Sequence, residues 1–96
     1  MRDLVDIEEF YRLEKKNPLA AARVVEAIRT TCAQAANEPG AGRDRSELGA
    51  GVRSKLVRRY PYVVYFRIAA PGVGFQIQVT RILHQRREVE TVFPGT

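Results

Sequence analysis

Apolar and polar positions along this chain keep one period through its first third and another through its second half. Over residues 3–16, Leu4, Ile7, Phe10, Tyr11 and Leu13 recur every three or four positions, opposite Asp6, Glu9 and Arg12. That spacing predicts an amphipathic helix. Asp3 is placed to cap it, its first turns are acidic, and Lys15 and Lys16 fall in its last turn, as the helix dipole favours. Asn17-Pro18 then starts a second helix, with asparagine as the cap and proline in the first position, where its missing N–H costs nothing. This helix runs over 18–36 with Ala21, Val24, Val25, Ile28, Cys32 and Ala35 on one face. Its alanines allow close approach, and the short connection predicts an antiparallel helical hairpin.

Residues 37–51 (NEPGAGRDRSELGAG) carry four glycines and a proline with almost no apolar content, and read as a long polar loop. The period then becomes two. Over 52–57, Val52, Ser54 and Leu56 oppose Arg53, Lys55 and Val57. Arg58-Arg59-Tyr60-Pro61 reads as a turn, because proline cannot donate to a ladder. Residues 62–68 (YVVYFRI) are continuous β-formers, as a strand covered on both faces would be. After the turn AAPGVG, residues 75–83 alternate, with Phe75, Ile77 and Val79 against Gln76, Gln78 and Thr80. His84–Arg87 reads as the exit from the sheet, and Val89, Val92 and Phe93 offer a last strand or a short turn of helix. The expected fold is α+β: one domain over 1–96, with the helical hairpin laid on one face of an antiparallel sheet of three to four strands.

Ninety-six residues suffice for one modest core, and the composition, 45% hydrophobic and 28% charged, is that of a globular protein. No apolar run reaches the ~20 residues of a membrane span, and the acidic start lacks the pattern of a signal peptide. The expected location is cytoplasmic. One cysteine and one histidine provide neither a disulfide framework nor a zinc site, so no metal and no cofactor are expected, and Cys32 reads as a small buried hydrophobe. The net charge of +5 is unevenly spread. Residues 1–42 hold six Lys/Arg and seven Asp/Glu (−1), whereas 43–96 hold ten and four (+6). A basic sheet half suits an acidic protein, nucleic acid or a target that handles nucleic acid, or serves solubility alone.

The residues open to chemistry are cations interleaved with aromatics: Arg53, Lys55, Arg58, Arg59, Arg67, Arg81, Arg86 and Arg87, with Tyr60, Tyr62, Tyr65 and His84. No nucleophile elbow, phosphate loop or carboxylate cluster accompanies them. Such a set suits nucleic-acid backbones and stacked bases, or metal-free activation of a ribose hydroxyl, or simply the wet side of a sheet.

Four segments in order, NPLAAARVVEAI, EPGAGRDRSELGAGVRS, YPYVVYFRI and VTRILHQRREVE, carry a likeness across nearly the whole chain. It resembles the ParE branch of the RelE/ParE superfamily, the toxins of bacterial type II toxin–antitoxin modules that act in plasmid stabilisation and growth inhibition. The resemblance implies a helical hairpin packed on an antiparallel sheet, a ParD-like antitoxin that wraps and neutralises the toxin, and DNA gyrase as target. RelE-like relatives instead cut mRNA on the ribosome, and by that likeness Arg58, Arg81 and His84 are the candidate catalytic residues. The tail after His84, QRREVETVF, supplies no tyrosine, which favours the gyrase branch and a non-enzymatic toxin. Arg53, Arg58, Arg59, Tyr62, Arg67, Arg81, His84, Arg86 and Arg87 are then the expected contacts to target or antitoxin. The short β-strand that usually opens the family does not precede the first helix: either the true start lies upstream, or the strand has been lost, which would leave a sheet position for an added strand. A degenerate toxin that retains only antitoxin binding is the third reading.

Overall fold

The computed structural model describes residues 2–68 and 77–86. Helix α1 spans Arg2–Glu9 and runs on as a π-helical turn, Phe10–Glu14. Helix α2 spans Pro18–Asn37 and opens as the sequence predicts, with Pro18 in its first turn and the Asn17 side chain accepting from Ala20 N at 3.0 Å. Both helices pack on each other. The wide turn, closed by Lys15 N–H donating to Phe10 O at 3.1 Å, adds a residue to the helical repeat and rotates the positions beyond it. Phe10 and Leu13, both within this turn, leave the predicted apolar stripe and are 41% and 57% exposed, while Ile7 stays buried.

A four-stranded antiparallel sheet comes next in the order β1-β2-β3-β4, with β1 Arg43–Asp44, β2 Arg53–Leu56, β3 Tyr62–Ile68 and β4 Ile77–His84. The polar loop supplies the fourth strand: its two residues Arg43 and Asp44 pair with Ser54 and Arg53. Expectations for Phe75, the 69–74 turn and the tail from Arg87 lie outside the described residues. His84 is in the sheet rather than at its exit, since it pairs with Tyr62. In β2 the expected alternation breaks at its end. Leu56 is exposed and Val57 fully buried, because the strand stops at Leu56 and Val57 N–H closes the turn on Tyr62 O.

Strand β3 has a core on each side. Tyr62, Val64 and Phe66 join Ile82, Val24, Ile28, Ala35 and Ile7 beneath the helices. On the opposite face Tyr65 packs with Leu83, Val52 and Leu48. The scaffold thus lies on both faces, not one. The loop folds over the second face through the short 3-10 turn Ser46–Leu48, which buries Leu48, and Arg45 lies 5.6 Å above the Tyr65 ring. Gly49 allows that return with φ +144°, and a Cβ there would fall 2.7 Å from Arg67 Nη2.

A bulge resets β4. Tyr65 pairs with Arg81 but Phe66 with Val79, so Thr80 has no partner across the ladder. Its hydroxyl donates to Tyr65 O at 3.0 Å. With the extra residue, Ile77, Val79 and Ile82 all reach the helix-side core, although an unbroken two-residue period would put Ile82 on the other face.

Candidate functional site

Three of the seven candidate arginines are bonded within the fold. Arg53 reaches the loop, where Nη2 donates to Gly42 O at 2.6 Å and Gly40 O at 3.1 Å. Arg67 Nε donates to Ala50 O at 3.0 Å. Both therefore tie the loop to the sheet. Arg81 meets Asp3 at two points, Nε to Oδ2 at 2.7 Å and Nη2 to Oδ1 at 3.0 Å. Asp3 Oδ2 also accepts from Ile82 N–H at 2.9 Å. Asp3 is thus a clamp rather than the expected cap: it pins α1 to β4 and occupies an edge N–H that an added strand would need. The pair holds the Arg81 guanidinium above its ordinary range, chiefly through the Asp3 hydrogen bond.

The other candidates gather where β2 turns into β3 and β4 ends. Tyr62 is buried, with its ring edge-on to His84 at 5.8 Å between centroids. Burial, then its hydrogen bond to Tyr11, pushes the Tyr62 phenol far up, so it stays neutral. His84 Nδ1 accepts from Arg86 N–H at 3.2 Å. His84, Tyr62, Ile82, Asp3, Asp6 and Phe10 border a groove of about 330 Å³ on the α1 side. Arg58 and Arg59 instead border a second groove, of about 510 Å³, against α2, with Tyr60, Arg23, Glu26 and Thr30 on its walls.

Arg58, Arg81 and His84 are therefore not assembled into one site: two line separate grooves and the third is ion-paired. Arg87 lies outside the described residues. Sequence reasoning missed Asp3, Tyr11, Arg23, Glu26 and Thr30. Their helical spacing alone marks them as ordinary wet-face or stripe positions, and only the tertiary contact gives them a role. Among the described residues no group of three His, Cys, Asp or Glu could hold a metal ion, and no helix is long and apolar enough to cross a membrane.

The sequence matches the family described as the ParE toxin of the type II toxin-antitoxin system, parDE, over residues 1–89. No curated protein matches it. Among solved structures it is similar to one described as the chromosomal ParDE TA system from P. aeruginosa, with 27% identity and a TM-score of 0.66 over 84% of this chain and 82% of that one. The helical hairpin on an antiparallel sheet agrees with that likeness, and the chain belongs to the ParE toxin family of type II toxin–antitoxin systems.

Proposed function

We propose that this protein is a cytoplasmic toxin, neutralised by a ParD-like antitoxin and acting without catalysis by binding DNA gyrase. The observation that carries the antitoxin reading is the helical hairpin, where Val5 (45%), Phe10 (41%), Leu13 (57%) and Leu19 (59%) are exposed within one short segment. Large apolar side chains exposed along the two arms of one hairpin suit cover by a partner. The similar structure is itself described as a ParDE system, in keeping with a ParD-type partner.

Non-catalytic action is favoured by the state of Arg81. A guanidinium held at two points by a carboxylate is poorly placed to stabilise a developing phosphorane. The test is gyrase supercoiling with purified protein, alone and with its antitoxin. Inhibition with trapped cleavage complex, relieved by antitoxin, is expected; uninhibited supercoiling at stoichiometric excess refutes the gyrase reading.

One observation keeps an endoribonuclease in contention: Arg58 and His84 come to the same end of the sheet, beside the Val57–Tyr62 turn and the Gln85–Pro61 contact. Toeprinting on translating ribosomes separates the two, since only the enzyme yields cleavage that His84→Ala abolishes.

A further inference from the structure

The groove between α2 and the β2–β3 turn has a chemistry that the gyrase reading does not use. Arg23, Glu26, Ala27, Thr30, Thr31 and Gln34 fall at helical spacing and form one wall; Arg58, Arg59 and Tyr60 form the other. The helical wall runs from Arg23 to Gln34, twelve positions and roughly 16 Å at 1.5 Å of rise per step. That is room for about five residues of extended chain at ~3.3 Å each. The volume, about 510 Å³, lies within the ~300–1,000 Å³ of small-ligand sites.

Among the described residues its charge is uncompensated. Arg53, Arg67 and Arg81 are bonded within the fold, but Arg23, Arg58 and Arg59 have no ion pair or hydrogen bond among the described residues. Three guanidinium groups thus face one carboxylate, Glu26. Arg59 also holds φ +71°, a backbone state that glycine or asparagine adopts at less cost. Arg59 borders the groove beside Arg58 and Tyr60.

We infer that this groove docks an acidic peptide segment of a partner protein in extended form. Its side-chain carboxylates pair with Arg23, Arg58 and Arg59, its backbone N–H groups meet Glu26 and the Gln34 carbonyl, and its backbone carbonyls meet Thr30 and the Gln34 amide. Peptide is favoured over nucleic acid because Glu26 stands in the helical wall. A phosphate backbone carries a negative charge at every step and no donor for that carboxylate, whereas an extended peptide offers it a backbone N–H at each residue while its carboxylates sit on the arginines. The assignment is independent of gyrase, because peptide binding is scored on this protein alone.

Fluorescence anisotropy with labelled hexaglutamate tests it, with hexaglutamine and a six-residue oligothymidylate as comparison probes. The triple variant Arg23→Gln, Arg58→Gln, Arg59→Gln is set against a charge-matched control, Arg2→Gln, Lys16→Gln, Arg29→Gln. Hexaglutamate affinity is expected to fall at least about tenfold in the groove variant, about 1.4 kcal/mol, and less than about twofold in the control. Amide chemical shifts of the unaltered protein give a reading that does not depend on the variants folding: hexaglutamate is expected to move Ala27, Thr30, Gln34 and Tyr60. Equal weakening in both triples, tighter oligothymidylate binding at the same amides, or no shift at those four residues each overturns the inference.

Discussion

Removing the Asp3 carboxylate should be among the most damaging single changes on α1. The ion pair is partly buried, with side-chain exposures of 34% for Arg81 and 14% for Asp3. Fully exposed pairs contribute about 0–1 kcal/mol, whereas breaking a buried pair costs about 3–5 kcal/mol. This one lies between. Asp3→Ala leaves the Arg81 guanidinium without its partner and frees Ile82 N–H at the sheet edge, so a loss of about 2–3 kcal/mol is expected. For a domain of this length that lowers Tm by roughly 10–20 °C. Arg81→Ala should cost less, about 1–2 kcal/mol, because Asp3 keeps Ile82 N–H and its favourable place in the first helical turn. Urea unfolding of both single variants and the double variant completes a cycle, with an expected coupling of about 1–1.5 kcal/mol. A coupling below about 0.5 kcal/mol would refute the clamp and return Arg81 to the pool of free surface cations.

Asn17→Ala removes the acceptor for Ala20 N–H and should cost about 1 kcal/mol in urea unfolding, with the sheet ladder unaltered by amide exchange. Gly49→Ala should cost about 2 kcal/mol, because φ +144° suits glycine alone and a Cβ there lies 2.7 Å from Arg67 Nη2. If Arg67→Ala rescues most of that loss, contact rather than backbone conformation was the cause. Burial pushes the Cys32 thiol up, so native protein should alkylate with iodoacetamide more slowly than urea-unfolded protein at the same pH. The folded state holds this proton more tightly, so its contribution to stability is full below the ordinary thiol range and is lost as pH rises through the elevated value. Stability that grows with pH across that window would contradict it.

Local chemistry made some elements legible in the sequence and not others. The start of α2 was fixed by two adjacent residues, Asn17 and Pro18, and β3 by seven unbroken β-formers bounded by Pro61. The strand within the loop was hidden because two polar residues have no period, and the second core because a single leucine, Leu48, anchors it. Nor does alternation reveal a bulge: Thr80 looks like any other outward position until its pairing is known. Among the candidate arginines, composition could not separate those bonded inside the fold from those left open. Arg53 and Arg67 answer to loop carbonyls, and Arg81 to a carboxylate 78 positions away. Arg58 and Arg59 look the same in sequence and differ in having no such partner among the described residues.

The Asp3–Arg81 contact also bears on the order in which the protein is made. The helical hairpin leaves the ribosome first, yet the groups that hold α1 in place, Arg81 and Ile82 N–H, are supplied by the last described strand. Until β4 is translated, Ile7, Val24 and Ile28 have no Ile82 to pack against, and β3 lacks its neighbour. A nascent chain halted within β3 therefore carries the hairpin's apolar residues without the strand that completes their core, a state open to proteases and chaperones. Closing a loop of this span also comes late in folding, because its entropy must be lost before its contacts form. A protein built this way completes the core beneath its hairpin only once translation has passed β4.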